Sequence, residues 1–263
     1  GKLFFNVTGN IGSYKNKITK LAEEVVTDYP WNGIDKTIIV RPYSSVYGYY
    51  ADGIFQTEAE VASHANQEFK SVGRIRYRDV NGDGQITLAD RDYIGTTDPD
   101  FVYGVNFNLR YSQWDLSLFW NGVYGGYNDV RGTKTYTDFI GAAEITGENY
   151  GIRTLDAWTP FNTNSSIPKL SLKDDANEKQ QSTYFLENKS YLKLRSMELG
   201  YTLPKHILNT IGMENLRFYL MAENLLTFYK KSGKNAFTGA DPETPGTAYP
   251  IPLSVTIGVN VSF

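Results

Sequence analysis

The sequence predicts an all-β chain of antiparallel strands, and two observations carry that prediction. Apolar and polar residues alternate with period two in six segments, as in strands with one apolar and one polar face. Short and long links between these segments also alternate strictly. Transmembrane barrels do this, with tight turns on one side of the bilayer and long loops on the other. A soluble β-sandwich shows the same residue alternation with its polar face in water. The pattern favours the barrel and keeps the sandwich as its alternative.

The first segment sets Leu3, Phe5, Val7, Gly9 and Ile11 against Phe4, Asn6, Thr8 and Asn10. The second sets Phe101, Tyr103, Val105, Phe107 and Leu109 against Val102, Gly104, Asn106, Asn108 and Arg110. Only Tyr111 and Ser112 separate it from the third, where Trp114, Leu116, Leu118 and Trp120 form the apolar side. In the fourth, "YLKLRSMELGYTL", the phase slips: Leu192 and Leu194 share one parity, Met197, Leu199 and Tyr201 the other. A β-bulge near Arg195 and Ser196 accounts for the slip. "PKHILNTIGM" reads as a helical turn leading to the fifth segment, with Leu216, Phe218, Leu220 and Ala222. The last carries Val255, Ile257, Val259, Val261 and Phe263.

Three links are long, at about 13–99, 124–189 and 227–252. Loops beyond about 12–15 residues are uncommon in compact domains, so three of them need a reason. If the last strand runs inward from an outer loop, every short link falls inside and every long link outside. Segments 101–110 and 253–263 match the 9–11 residues that a tilted strand needs to cross a bilayer.

Composition narrows the function classes. A formal net charge of -3 argues against nucleic acid, which selects a basic face. The absence of cysteine excludes disulfides and thiolate metal sites, and the two histidines, His64 and His206, are far apart in sequence. No run approaches 18 apolar residues, so no transmembrane helix is expected. The sequence opens inside a strand pattern, "GKLFFNVTGN", without an apolar signal region, which leads us to expect a piece of a longer protein. The 20 tyrosines, 14 phenylalanines and 4 tryptophans suit barrel interfaces, sugar-stacking surfaces and loops alike. Tyr47, Tyr49, Tyr50, Tyr124 and Tyr127 are candidates for sugar stacking, with loop packing or an interface belt as the competing reading.

The most specific local signal is "RDVNGDGQITLAD" at residues 78–90. Counted from Asp79, the residues Asp79, Asn81 and Asp83 fall at positions 1, 3 and 5 of an EF-hand-like loop, with Gly84 at the sharp turn. Gln85 at position 7 would ligate through its carbonyl, Thr87 at 9 directly or through water, and Asp90 at 12. Hard oxygens at these spacings suit Ca²⁺. Two features depart from an ordinary EF-hand: "RIRYR" enters as a strand, and Asp90 is one methylene shorter than the usual Glu. A single structural site of modest affinity is expected, against a metal-free Asx-turn. Ile86 should pack this loop onto its neighbour.

Other motifs are weaker. Glu58, Glu60, Asp98, Asp100, Glu144 and Glu148 could pair as glycosidase carboxylates, but with 29 acidic residues chance pairs are expected, and we expect no enzyme. Thr57 to Glu60 reads as a capping box opening a short helix, and "NGVYGGYND" lacks the order of a phosphate loop.

Five stretches together resemble the SusC/RagA family of TonB-linked outer-membrane transporters. They are "PYSSVYGYYADGIFQTEAEV", "YRDVNGDGQITLADRDYIGTTDPDFVYGVNFNLRYSQWDLSLFWNGVYG", "SYLKLRSMELGYTLP", "LRFYLMAENLLTF" and "VTIGVNVSF", in the family's order from about residue 40 onward. Ser44 and Ser45 depart from it locally, where a glycine is expected. The resemblance implies the C-terminal portion of a large antiparallel transmembrane β-barrel with long extracellular loops, in the outer membrane of a Gram-negative bacterium. A barrel of this type uses about 22 strands around a plugged lumen, so six strands form part of its wall. The plug and TonB-contacting segments are not among these residues. The resemblance further implies import of a nutrient, foremost an oligosaccharide and sometimes a peptide. Implied partners are a SusD-like surface lipoprotein, TonB, membrane lipid and the remaining strands. The alternative is a secreted calcium-binding β-module for carbohydrate binding or adhesion.

Overall fold

The computed structural model describes residues 3–21, 39–131, 139–140, 152–171, 178–231, 239, 241–245, 249 and 251–263. Glu144 and Glu148 lie outside the described residues. The chain forms strands β1 (Leu3–Gly12), β2 (Ser45–Gly48), β3 (Ala51–Ile54), β4 (Ile75–Tyr77), β5 (Asp92–Thr96) and β6 (Phe101–Tyr111). It continues through β7 (Trp114–Tyr124), β8 (Tyr127–Asp129), β9 (Leu186–Asn188), β10 (Tyr191–Thr202), β11 (Asn215–Tyr229) and β12 (Ser254–Ser262). Six long strands pair antiparallel in one sheet, in the order β1-β6-β7-β10-β11-β12.

The register aligns the apolar parities of all six strands. One row reads Phe5, Leu109, Leu116, Leu199, Leu220 and Ile257 across the sheet. The row two residues along each strand reads Val7, Phe107, Leu118, Met197, Ala222 and Val255. Between them, on the opposite face, lies Asn6, Asn108, Ser117, Glu198, Met221 and Thr256. The bulge is where the phase slip placed it: pairing shifts between Leu194 and Ser196 against both β7 and β11. Arg195 is the extra residue against β7, so Leu194 opposite Trp120 and Met197 opposite Leu118 share one face.

A second sheet packed on the apolar face would bury these rows. They stay uncovered instead: Phe5 and Ile257 on the edge strands are 65% and 80% accessible, the larger side chains of the inner strands are part-exposed, and of the two rows only the small Ala222 is buried. Aromatic rings close the face at both ends. Phe101 stacks on Tyr124 at 4.9 Å, and Trp114 packs against Tyr201 at 4.7 Å beside Tyr111. Ten residues separate Phe101 from Tyr111, about 33 Å along the strand. At a ~40° tilt this gives roughly the 25 Å apolar band of a membrane barrel.

One end of the sheet carries short links. Ser112, with φ +56°, and Gln113 join β6 to β7. Helix Lys205–Ile211, ended by left-handed Gly212, leads from β10 to β11. At the other end the long links 13–99 and 124–189 interleave into one body with its own core. Short pairs β2–β5, β3–β4 and β8–β9 frame it. Tyr49, Ile75, Tyr77, Val130, Phe139, Ile140 and Phe185 fill it. The two links are laced by backbone bonds from Tyr49 N–H to Gln181 O and from Thr183 N–H to Tyr49 O, both 2.9 Å. Gly125 and Gly126, at φ +80° and +74°, turn the chain off β7 into this body, where a Cβ would collide with Asp100 and with the Asp98 backbone.

Candidate functional site

The acidic turn at residues 79–90 sits on the surface of this loop body. Its entry is strand β4, and its exit is a 3-10 turn, Leu88–Asp90. Gly82 and Gly84 adopt φ +76° and +80°, which β-carbon-bearing residues avoid. The turn is wound on its own side chains. Asp79 Oδ1 accepts from Gly82 N–H at 2.7 Å and its Oδ2 from Gly84 N–H at 2.8 Å. Asn81 Oδ1 accepts from Asp83 N–H at 2.9 Å, and Asp83 Oδ1 from Gln85 N–H at 2.8 Å. Asn81 Nδ2 donates to Asp83 Oδ2 at 2.9 Å.

Asp90 stands apart from these exposed groups. It is fully buried, and its Oδ1 accepts from Val80 and Asn81 N–H while Oδ2 accepts from Thr87 N–H at 2.7 Å. Thr87 Oγ1 in return accepts from Ala89 N–H, completing a capping box. Asp79, Asn81 and Asp83 therefore share one exposed turn, whereas Thr87 and Asp90 brace its base. Among the described residues no group of three or more His, Cys, Asp or Glu converges as a cluster. The donor chemistry still suits a hard cation. Each oxygen of Asp79 and Asp83 takes one hydrogen bond, which leaves lone-pair capacity on every one. Gln85 bridges to Asn66, and Ile86 packs against the loop-body core, as expected of position 8.

The aromatic candidates divide. Tyr49 is buried 5.0 Å from Tyr77, Tyr47 packs edge-on to Tyr93, and Tyr50 donates to Tyr93 O under the Arg78 guanidinium. Tyr127 joins the small cluster of Val46, Ile94 and Leu186. Only Tyr124 of the five is exposed, at the aromatic end of the sheet. His64 is a packing residue, edge-on to Phe55 at 5.0 Å. Burial lowers its pKa more than the Tyr77 backbone raises it. Thr57 caps the short helix Glu58–Ser63 as predicted, but Glu60 reaches back to Gln56 N–H at 2.7 Å, not to the Thr57 amide.

The polar face of the sheet carries two charged clusters that no local spacing announced. Toward the short links, Arg217 donates to Asp115 and Glu198 across three strands. Gly200 makes room for it, because a Cβ there would meet the guanidinium. Toward the loop body, Lys193 and Arg195 bind Asp241 and Glu243.

No family model matches the chain. The TonB-dependent receptor P3 of Formosa agariphila is 30% identical over 243 residues, covering 89% of this chain and 22% of that protein. The TonB-dependent receptor SusC of Bacteroides thetaiotaomicron is 23% identical over 270 residues, covering 99% of this chain and 24% of that protein. A solved structure of the RagAB peptide transporter superposes with a TM-score of 0.69 at 22% identity, over 99% of this chain and 27% of that one. This chain is a segment of the SusC/RagA type of TonB-dependent transporter. It spans about a quarter of the length of the curated relatives it matches. The RagAB importer in its closed-closed state gives the same fold, with a TM-score of 0.67 at 23% identity over 99% of this chain. The six-stranded sheet is accordingly a portion of a SusC/RagA-type barrel.

Proposed function

We propose that this segment supplies wall and outer loops to an outer-membrane transporter that imports a nutrient in a Gram-negative cell. The observation that supports it most is the run of wholly apolar register rows on one face, which no second layer of the described residues covers, alternating with polar rows on the other. Water penalises such a face and lipid does not. In this reading the apolar face meets the membrane and the polar face the lumen. The remaining barrel strands flank β1 and β12, and a SusD-like lipoprotein closes the loop side. TonB acts through parts of the protein outside this segment.

An oligosaccharide is the proposed cargo. Peptide is the second reading, favoured by the RagAB peptide transporter among the structural neighbours. Disrupting the full-length gene tests both. Loss of growth on oligosaccharides with growth on peptides intact supports the first, and the reverse pattern replaces it with the second. Unchanged growth on both would remove the import reading.

Calcium at the acidic turn belongs to the same proposal. The side chains of Asp79, Asn81 and Asp83 and the Gln85 carbonyl would hold the ion, while Thr87 and Asp90, the other two expected ligands, brace the base of the turn through their hydrogen bonds. A bound Ca²⁺ would neutralise the turn's carboxylates and stiffen it, since extracellular sites of this kind fill even at modest affinity. Ile86 would pass that stiffness to the loop-body core.

A further inference from the structure

Lys193 is fully buried although it points from the polar face of a barrel strand. What buries it is residues 241–245 of the β11–β12 connection. Lys193 Nζ donates to both oxygens of Asp241, at 2.7 and 2.8 Å, and to Glu243 Oε2 at 3.0 Å. Arg195, on the bulge, grips Glu243 at 2.8 and 2.9 Å and donates to Asn224 Oδ1 at 3.2 Å. Asn224, left-handed at φ +56°, donates in turn to Pro252 O at 3.1 Å. Within the segment, Glu243 N–H donates to Asp241 Oδ1 and Pro242 is fully buried. Beside Lys193 in register, Asn121 has a covered side-chain oxygen without a hydrogen-bond partner.

We propose that residues 241–245 are a strap held over the polar face by a releasable ionic latch, with Lys193 and Arg195 on the wall and Asp241 and Glu243 on the strap. This rests on the reading of the polar face as lumen. The chemistry of the contact argues for release. Apolar packing would hold a loop with less desolvation cost than buried charges do. It would also leave greasy surface in a wet lumen whenever the loop lifted. A charged contact becomes two hydrated surfaces on opening, and Arg195 and Glu243, each more than a quarter exposed, already border solvent. The strap therefore has two tolerable positions, closed over Lys193, with Asn121 beside it in register, or lifted away.

The test uses the full-length transporter in cells. Asn121→Cys reports whether the wall beneath the strap is open to a membrane-impermeant maleimide added outside, read by mass spectrometry at that residue. With the latch intact, labelling should be slow. Adding Asp241→Asn and Glu243→Gln should speed it about tenfold or more, and the exchanged pair Lys193→Asp with Asp241→Lys should slow it again. Fast labelling with the latch intact, or slow labelling with both carboxylates removed, overturns the proposal. A heat-modifiable barrel band in the outer-membrane fraction shows that each variant assembled. Its absence from the unmodified protein would instead count against the barrel reading.

Discussion

The sheet and the loop body place their apolar side chains in opposite ways. In the sheet, alternation builds long registered rows, and the apolar rows stay on the outside. In the loop body, strands of three to five residues turn Ile75 and Tyr77 into one core and Ile94 and Leu186 into a smaller one. The sheet holds its shape by backbone ladders, whereas the loop body holds its shape by a core. The difference teaches that period two specifies a strand's two faces but not which face meets solvent. Length decides much of the rest: an 11-residue strand can cross a bilayer and a four-residue strand cannot.

Mutations can separate the two modes. The largest effect is expected at Phe55, fully buried in the loop body. Phe55→Ala should cost about 3–5 kcal/mol there. Limited proteolysis should cut the loops of this variant sooner while the heat-modifiable barrel band persists. Ile257→Ala on the exposed apolar face should leave proteolysis unchanged, and equal sensitivity at the two positions would break the comparison.

Next, adjacent residues of β6 should respond differently to charge. Val105→Lys places a cation on the apolar face and should cost about 2–4 kcal/mol near mid-bilayer, with Asn106→Lys costing far less. Denaturant titration of the full-length protein in lipid vesicles would measure both, and equal costs would reverse or abolish the face assignment.

A smaller effect is expected at the acidic turn. Asp83→Ala should abolish calcium uptake by calorimetry and loosen residues 79–87 to protease, with the barrel unaffected. Undiminished calcium binding would exclude the turn as the site.

The mildest is a pH response of the strap. Burial raises the Glu243 pKa, but hydrogen bonds and charge from Arg195 and Lys193 outweigh it and hold the carboxyl below its ordinary value. A depressed carboxyl adds stability above its unfolded pKa and loses it as pH falls through the folded one. Latch strength should thus be constant near neutrality and fall only in acid below the ordinary glutamate range. The facing groups are Tyr191, Lys193 and Arg195 on β10 and Asp241 on the strap. Because acid also removes the reactive thiolate, labelling at Asn121→Cys is read as a ratio to the same cysteine in the Glu243→Gln background at each pH, and that ratio should rise on acidification.

The long strands, their faces, the bulge and the tight turn were legible because each leaves a periodic trace over ten or so residues. The Thr57 cap and the packing role of Ile86 were legible through spacing alone. The loop body's short strands were not, since three to five residues cannot establish a period and their partners lie far along the chain. The structure also moves four of the five candidate sugar-stacking tyrosines into loop packing, a choice that sequence left open. The Lys193–Asp241 contact spans 48 positions, so no local motif could mark it. Its one sequence trace is a lysine amid the leucines of β10, a charge that needs a partner.

Arg195 has a consequence for how this wall tolerates change. A one-residue slip in a strand normally turns every later side chain inside out. Against β7, Arg195 is the supernumerary letter, because Leu194 and Ser196 already sit opposite the consecutive residues Trp120 and Phe119. Against β7 alone, removing it would restore an even reading frame with Leu192, Leu194, Met197 and Leu199 still on one side. Against β11 it already stands opposite two residues, Asn224 and Leu225, so the backbone position is needed there while its side chain belongs to neither face's pattern. A long guanidinium at that position can be gained, lost or retuned without rewriting the wall around it.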